Sequence, residues 1–132
     1  RVWGVQWNAG ALLAGYAVKL VVTGATGFLG GWVVRQALAR GDEVLALGRN
    51  LQRGQELEGW GARFLPVDLA DRAGLGRAFK GQEGVIHAGA LSSPWARAKE
   101  FELANVQGTR NVLNAALENG VRRRVFVSSA SV

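Results

Sequence analysis

Val21-Val22-Thr23-Gly24-Ala25-Thr26-Gly27-Phe28-Leu29-Gly30 runs an apolar strand straight into three glycines spaced three residues apart, and from there into a helix. Gly24 lets the chain turn sharply off the strand. Gly27 lets a backbone approach a pyrophosphate with no side chain in the way, and Gly30 lets the new helix pack close to the sheet. The pyrophosphate would then sit on the helix N-terminus, where unpaired N–H groups and the positive end of the helix dipole face it. Spaced glycines also occur in plain tight turns. The reading as a dinucleotide grip rests on the full order of strand, glycine loop and amphipathic helix.

Working outward, apolar periodicity divides residues 18–132 into alternating strands and helices. Residues 18–23 form a continuous apolar strand, as expected when both faces are buried in a parallel sheet. The helix after it places Leu29, Val33 and Ala37 on one face with Val34 and Leu38 beside them, and stops near Gly41. Residues 43–47 read as the second strand, 50–59 as weakly helical at best, and 62–67 as the third strand. Asp71 is placed to cap a short helix carrying Leu75, Ala78 and Phe79. Residues 84–88 are the fourth strand, and a longer helix spans about 99–118 with Val106, Leu113 and Leu117 in register. Asn119-Gly120 ends it in a left-handed cap, and residues 124–128 are the fifth strand. The predicted class is α/β: a doubly wound parallel sheet (Rossmann fold), truncated after its fifth strand.

In such a sheet the ligand lies along the carboxyl ends of the strands. An NAD site is expected to place an acid after the second strand, to bond the ribose 2′-hydroxyl. Here that strand ends Ala46-Leu47-Gly48-Arg49-Asn50, while Asp42 and Glu43 lie at its other end. Arg49 can meet a 2′-phosphate with a charge-assisted bond, so NADP is favoured as cofactor, with NAD as the alternative. Asp68 ends the third strand, where a carboxylate can accept from the adenine amino group while the backbone at Leu69 fixes the ring. Ala88-Gly89-Ala90 ends the fourth strand with side chains small enough for the cofactor to lie against the backbone. His87, inside an apolar strand, is read as a hydrogen-bonded core residue rather than an acid or base.

Composition bounds the rest. With 132 residues the chain is the size of one domain. Residues 1–17 are rich in Trp and Gly and show no clean period. They are taken as translated upstream sequence or an artificial extension, without assigned structure, before an NAD(P)-binding domain over 18–132. The apolar stretch within them is too short and glycine-rich to span a bilayer. Cysteine is absent, which removes disulfides and thiolate metal sites and fits a reducing, cytoplasmic setting. One histidine gives no basis for a metal cluster. The net charge of +6 is scattered apart from Arg122-Arg123-Arg124, and no aromatic residues interleave with that run, so no nucleic-acid partner is expected.

Taken together, these stretches resemble the first half of an extended short-chain dehydrogenase/reductase, the NAD(P)-dependent epimerase/dehydratase group. Residues 23–30 are similar to its glycine motif, Asp68-Leu69 to its adenine-side Asp, and His87-Ala88-Gly89-Ala90 to its fourth-strand motif. Asn105-Val106-Gln107-Gly108-Thr109-Arg110-Asn111 resembles its helix motif, and Val127-Ser128-Ser129-Ala130-Ser131-Val132 the strand that carries its catalytic serine. Within the group, residues 47–50 and 90–95 look most like the 3β-hydroxysteroid dehydrogenase-like and dihydroflavonol reductase-like branch. The resemblance implies cofactor contacts from Gly24, Thr26, Gly27, Phe28, Leu29, Gly30, Arg49, Asp68, Leu69, Ala88, Gly89, Ala90 and Asn105, and a substrate-positioning hydroxyl on Ser129. Asn105 could equally hold the long helix against the sheet. The chemistry implied is hydride transfer between nicotinamide C4 and a carbon bearing oxygen on a small hydroxy or keto substrate, with a tyrosine phenol moving the proton and a lysine beside it. The Tyr-x-x-x-Lys pair is expected downstream of residue 132, so these residues alone are expected to bind cofactor without turning over. A homodimer of the parent protein is left open. The competing expectations are a nucleotide-sugar epimerase or dehydratase with tightly held NAD, and a dinucleotide-binding module that has lost its chemistry.

Overall fold

A computed structural model of the chain describes residues 17–88 and 98–127, with 98–105 as backbone alone. Strands and helices alternate through β1 (Lys19–Thr23), α1 (Phe28–Ala39), β2 (Glu43–Gly48), α2 (Leu51–Gly59), β3 (Arg63–Pro66), α3 (Arg72–Phe79), β4 (Gly84–His87), α4 (Ala98–Glu118) and β5 (Arg123–Phe126). All pairings are parallel and the strand order is β3-β2-β1-β4-β5. The chain steps outward from β1 to one edge, then returns to the other side of β1. Connections therefore diverge between β1 and β4, the point where sheets of this topology take a ligand above the carboxyl ends of their strands.

Side-chain alternation explains why the central strands read as unbroken apolar runs. Leu20, Val22, Val44, Ala46 and Ile86 face one way, onto Val33, Val34 and Ala37 of α1 and Leu57 of α2. Val21, Leu45, Leu47 and Val85 face the other way, onto Leu75 and Phe79 of α3 and Val112, Ala115 and Ala116 of α4. Register pairs Val21 with both Leu45 and Val85, so the middle of the sheet is sealed on both sides. Asp71 caps α3 as expected, accepting from Gly74 N at 2.9 Å, and Gly120 (φ 66°) ends α4 in the left-handed region.

Two expectations need correction. Residues 51–59 form a full helix, because Asn50 accepts from the Arg53 N–H at 3.0 Å and Leu57 is buried. Within this helix the missing Cβ of Gly54 makes room for the Phe64 ring of β3. In α4 the residues Val106, Leu113 and Leu117 do not face the sheet: all three are exposed. The buried stripe is Gly108, Asn111, Val112, Ala115 and Ala116, on the opposite side of the helix. Small residues let α4 approach the sheet closely, and size decided which of two apolar stripes was buried.

Candidate functional site

The glycine loop is rigid by backbone contact. Gly24 adopts φ 64°, the left-handed turn expected off β1. Ala25 N donates to Leu47 O at 3.0 Å and Gly27 N to Gly24 O at 3.1 Å, which ties the loop to the end of β2. A Cβ at Gly30 would lie 2.6 Å from the Gly24 carbonyl carbon and 2.8 Å from Ala25 Cα. Gly30 thus seats α1 on the loop itself, more than on the sheet. Gly27 is different: its φ is −82°, and a Cβ there would make only an ordinary 3.4 Å contact with Gly24 O. Nothing among the described residues requires glycine at that position. The start of α1 also has no side-chain cap and no acid in its first turn. The N–H groups of Phe28, Leu29 and Gly30 point out of an uncapped helix end, which suits an anion such as a pyrophosphate.

Beside the loop lies a polar corner built from the ends of β2 and β3. Thr26 rests on Gly48, where a Cβ would come within 2.7 Å of Thr26 Oγ1. That contact puts Arg49 next to the glycine loop. Arg49 Nη1 stands 3.8 Å from Asp68 Oδ2, with the Arg49 side chain 70 % exposed. An exposed pair of this kind contributes about 1 kcal/mol or less, so either partner can be recruited by a ligand at small cost. The other Asp68 oxygen accepts from Ala70 N at 2.8 Å and so shapes the turn containing Leu69.

At the end of β4, His87 joins three elements. Its Nδ1 lies 2.6 Å from Thr23 Oγ1 of β1 and its Nε2 3.1 Å from Thr109 Oγ1 of α4. The ring packs against Phe126 with centroids 5.3 Å apart. Burial lowers its pKa from 6.5 to about 4, so the imidazole is neutral near pH 7. With both nitrogens engaged, His87 is the hydrogen-bonded core residue that the sequence suggested. Ala88 follows it, half-buried, its N–H donating to Thr23 O at 3.2 Å.

Gly24, Thr26, Gly27, Phe28, Leu29, Gly30, Arg49, Asp68, Leu69 and Ala88 all follow the carboxyl ends of β1, β2, β3 and β4, on one edge of the sheet. Gly89, Ala90, Ser128, Ser129 and Ser131, together with the Asn105 side chain and Tyr16, lie outside the described residues. Sequence reasoning passed over the bonding partners Thr23, Thr109 and Asn111. For Asn111 the signal was a polar residue one position before the apolar Val112, on the stripe that turned out to be buried. At the opposite end of the sheet a groove of about 510 Å³ is lined by Lys19, Asp42, Glu43, Arg63, Lys80 and Gln82. Its charges are mixed, and it lies at the wrong end of the strands for the glycine loop. Among the described residues no helix is long and apolar enough to cross a membrane.

With this geometry in place, the profile of the NAD dependent epimerase/dehydratase family matches residues 20–132. The chain belongs to that family. Cinnamoyl-CoA reductase 1 of Oryza sativa subsp. japonica is 43 % identical over 115 residues, covering 82 % of this chain and 33 % of that protein. The 2-alkyl-3-oxoalkanoate reductase of Stenotrophomonas maltophilia is 37 % identical over 115 residues, covering 87 % and 34 %. Among solved structures, a short-chain dehydrogenase/reductase superfamily protein from Agrobacterium tumefaciens with bound NAD superposes with a TM-score of 0.67 at 35 % identity, over 81 % of this chain and 31 % of that one. The chain spans about a third of the length of these relatives. The resemblance to the first half of an extended short-chain dehydrogenase/reductase holds, and reductases are among its relatives.

Proposed function

We propose that the full-length protein is an NADP-dependent oxidoreductase that interconverts a hydroxyl and a keto group on a small molecule, with these residues as its cofactor half. Arg49 is the observation that carries the cofactor choice. It stands exposed at the end of β2, where an acid would select NAD, and the Thr26–Gly48 contact sets it beside the glycine loop. The N–H groups of Phe28, Leu29 and Gly30 would hold the pyrophosphate, and Arg49 would leave Asp68 for the 2′-phosphate. Asp68 would accept from the adenine amino group, with the Leu69 backbone against the ring. Ala88, Gly89 and Ala90 would form the floor, with Asn105 supporting it. Bound there, the dinucleotide supplies or accepts a hydride at nicotinamide C4. Ser129 would position the substrate oxygen, and a tyrosine with its lysine would move the proton from elsewhere in the full-length protein.

The two relatives named as reductases support this reading. A second reading, an NAD-dependent epimerase or dehydratase, draws on the family's name and on the relative with NAD bound. Fluorescence titration of the full-length protein with NADPH and NADH separates them. NADPH binding about tenfold tighter, worth ~1.4 kcal/mol, is the expected result. NADH binding as tightly or more tightly would select the second reading.

A further inference from the structure

Asn111 is 5 % exposed, on the sheet-facing side of α4, and none of the roles above uses it. Its Nδ2 donates to the Leu69 carbonyl at 2.8 Å, a bond between residues 42 positions apart, and its Oδ1 accepts from Gln107 Nε2 at 3.4 Å. One turn earlier in the helix, a Cβ on Gly108 would lie 3.1 Å from Leu69 Cδ1 and 3.3 Å from Leu69 Cβ, so the bare backbone there receives the Leu69 side chain. Helix α4 thus grips residue 69 twice, by its carbonyl and by its side chain. From the other side Ala70 N and Arg49 hold the two oxygens of Asp68, and Asp71 N donates to Asp68 O at 2.9 Å. The turn over residues 68–70 is clamped between the end of β2 and α4, with the Asp68 side chain still 54 % exposed at the carboxyl edge of the sheet.

We infer that Asn111 is a positioning residue for adenine recognition: by fixing the Leu69 carbonyl it sets the direction of the Asp68 carboxylate toward the exocyclic amino group of the base. The inference rests on the proposed dinucleotide site and deepens it. A donor on a buried side chain fixes the turn more firmly than packing alone, because breaking the bond leaves the buried Asn111 amide short of a partner. Residue 111 touches no ligand and acts only through residue 69.

The test compares NADP with its 6-deamino analogue, nicotinamide hypoxanthine dinucleotide phosphate, in the full-length protein and in Asn111→Leu, which keeps the volume and removes the donor. Hypoxanthine presents a carbonyl where adenine presents an amino group, so an oriented Asp68 should weaken its binding about tenfold. In Asn111→Leu the ratio of the two dissociation constants is expected to fall below about threefold. General destabilisation would weaken both ligands together and leave the ratio alone. Asn111→Ser, smaller and still polar but with its hydroxyl short of Leu69, should show the same loss of preference and serves if the leucine variant does not fold. A preference retained in either folded variant would overturn the role of Asn111 alone. A wild-type ratio of one would overturn the adenine reading of Asp68, and this inference with it.

Discussion

The glycine loop between β1 and α1 and the polar corner of Arg49 and Asp68 sit side by side on the carboxyl edge of the sheet, yet they keep their shapes by different means. In the loop, backbone rests on backbone: Gly30 leaves no space beside Gly24 and Ala25, and Thr23 below is tied to His87. In the corner, side chains hold the shape: exposed Arg49 and Asp68 stand 3.8 Å apart, and buried Asn111 donates to the Leu69 carbonyl at 2.8 Å. Substitutions in the loop should therefore damage the fold and binding together, whereas those in the corner should change which ligand is bound and leave the fold intact.

The harshest way to probe that contrast is Gly30→Ala. The new methyl meets backbone atoms that cannot swing aside, so urea unfolding should show a loss of about 3 kcal/mol, the upper end for an overpacked site, together with loss of dinucleotide binding. Normal stability in this variant would remove the distinction. Next comes His87, whose pKa falls from 6.5 to about 4 on folding. A base with a lowered native pKa binds its proton more readily when unfolded, so its contribution is complete above pH 6.5 and is lost as pH falls toward 4. The drop is on the order of 3 kcal/mol across that window, and His87→Gln should unfold with a correspondingly flatter acid limb.

The corner should respond differently. Arg49→Gln is expected to weaken NADP about tenfold, ~1.4 kcal/mol, while NAD affinity changes less than about twofold. Its unfolding free energy should stay within about 0.5 kcal/mol of wild type, because the pair it removes is exposed. A large fall in stability would mean that the corner is structural after all. The smallest effect belongs to Asn50→Ala, which removes the cap on α2 just behind Arg49 and should cost about 1 kcal/mol in thermal unfolding.

The same contrast governs what was legible from the amino-acid order. Backbone-driven features leave a strong mark in sequence: Gly24 and Gly30 stand where φ or close approach demands them, and strands buried on both faces appear as apolar runs. Element order, sheet class and the loop were legible for that reason. Features set by size or by distant partners were not. Residues 50–59 read as only weakly helical, and just the fold shows Phe64 filling the space beside Gly54, while α4 carried two apolar stripes of which the bulkier one, through Val106, Leu113 and Leu117, was left outside. Asn111 stands within a recognisable motif but meets Leu69, 42 positions away, and only the fold brings the two together. His87 was legible as a core residue because a lone polar ring within a buried strand must find partners, although nothing in the sequence named Thr23 and Thr109.

Hydrogen–deuterium exchange of the full-length protein with and without saturating NADP tests the placement of the cofactor most directly. Slowed exchange is predicted over residues 24–31, with weaker protection over 49–53 and 68–71, and no change at Lys19, Glu43, Arg63 or Lys80–Gln82 on the opposite edge. Protection centred on that opposite groove, with the glycine loop unaltered, would contradict the account.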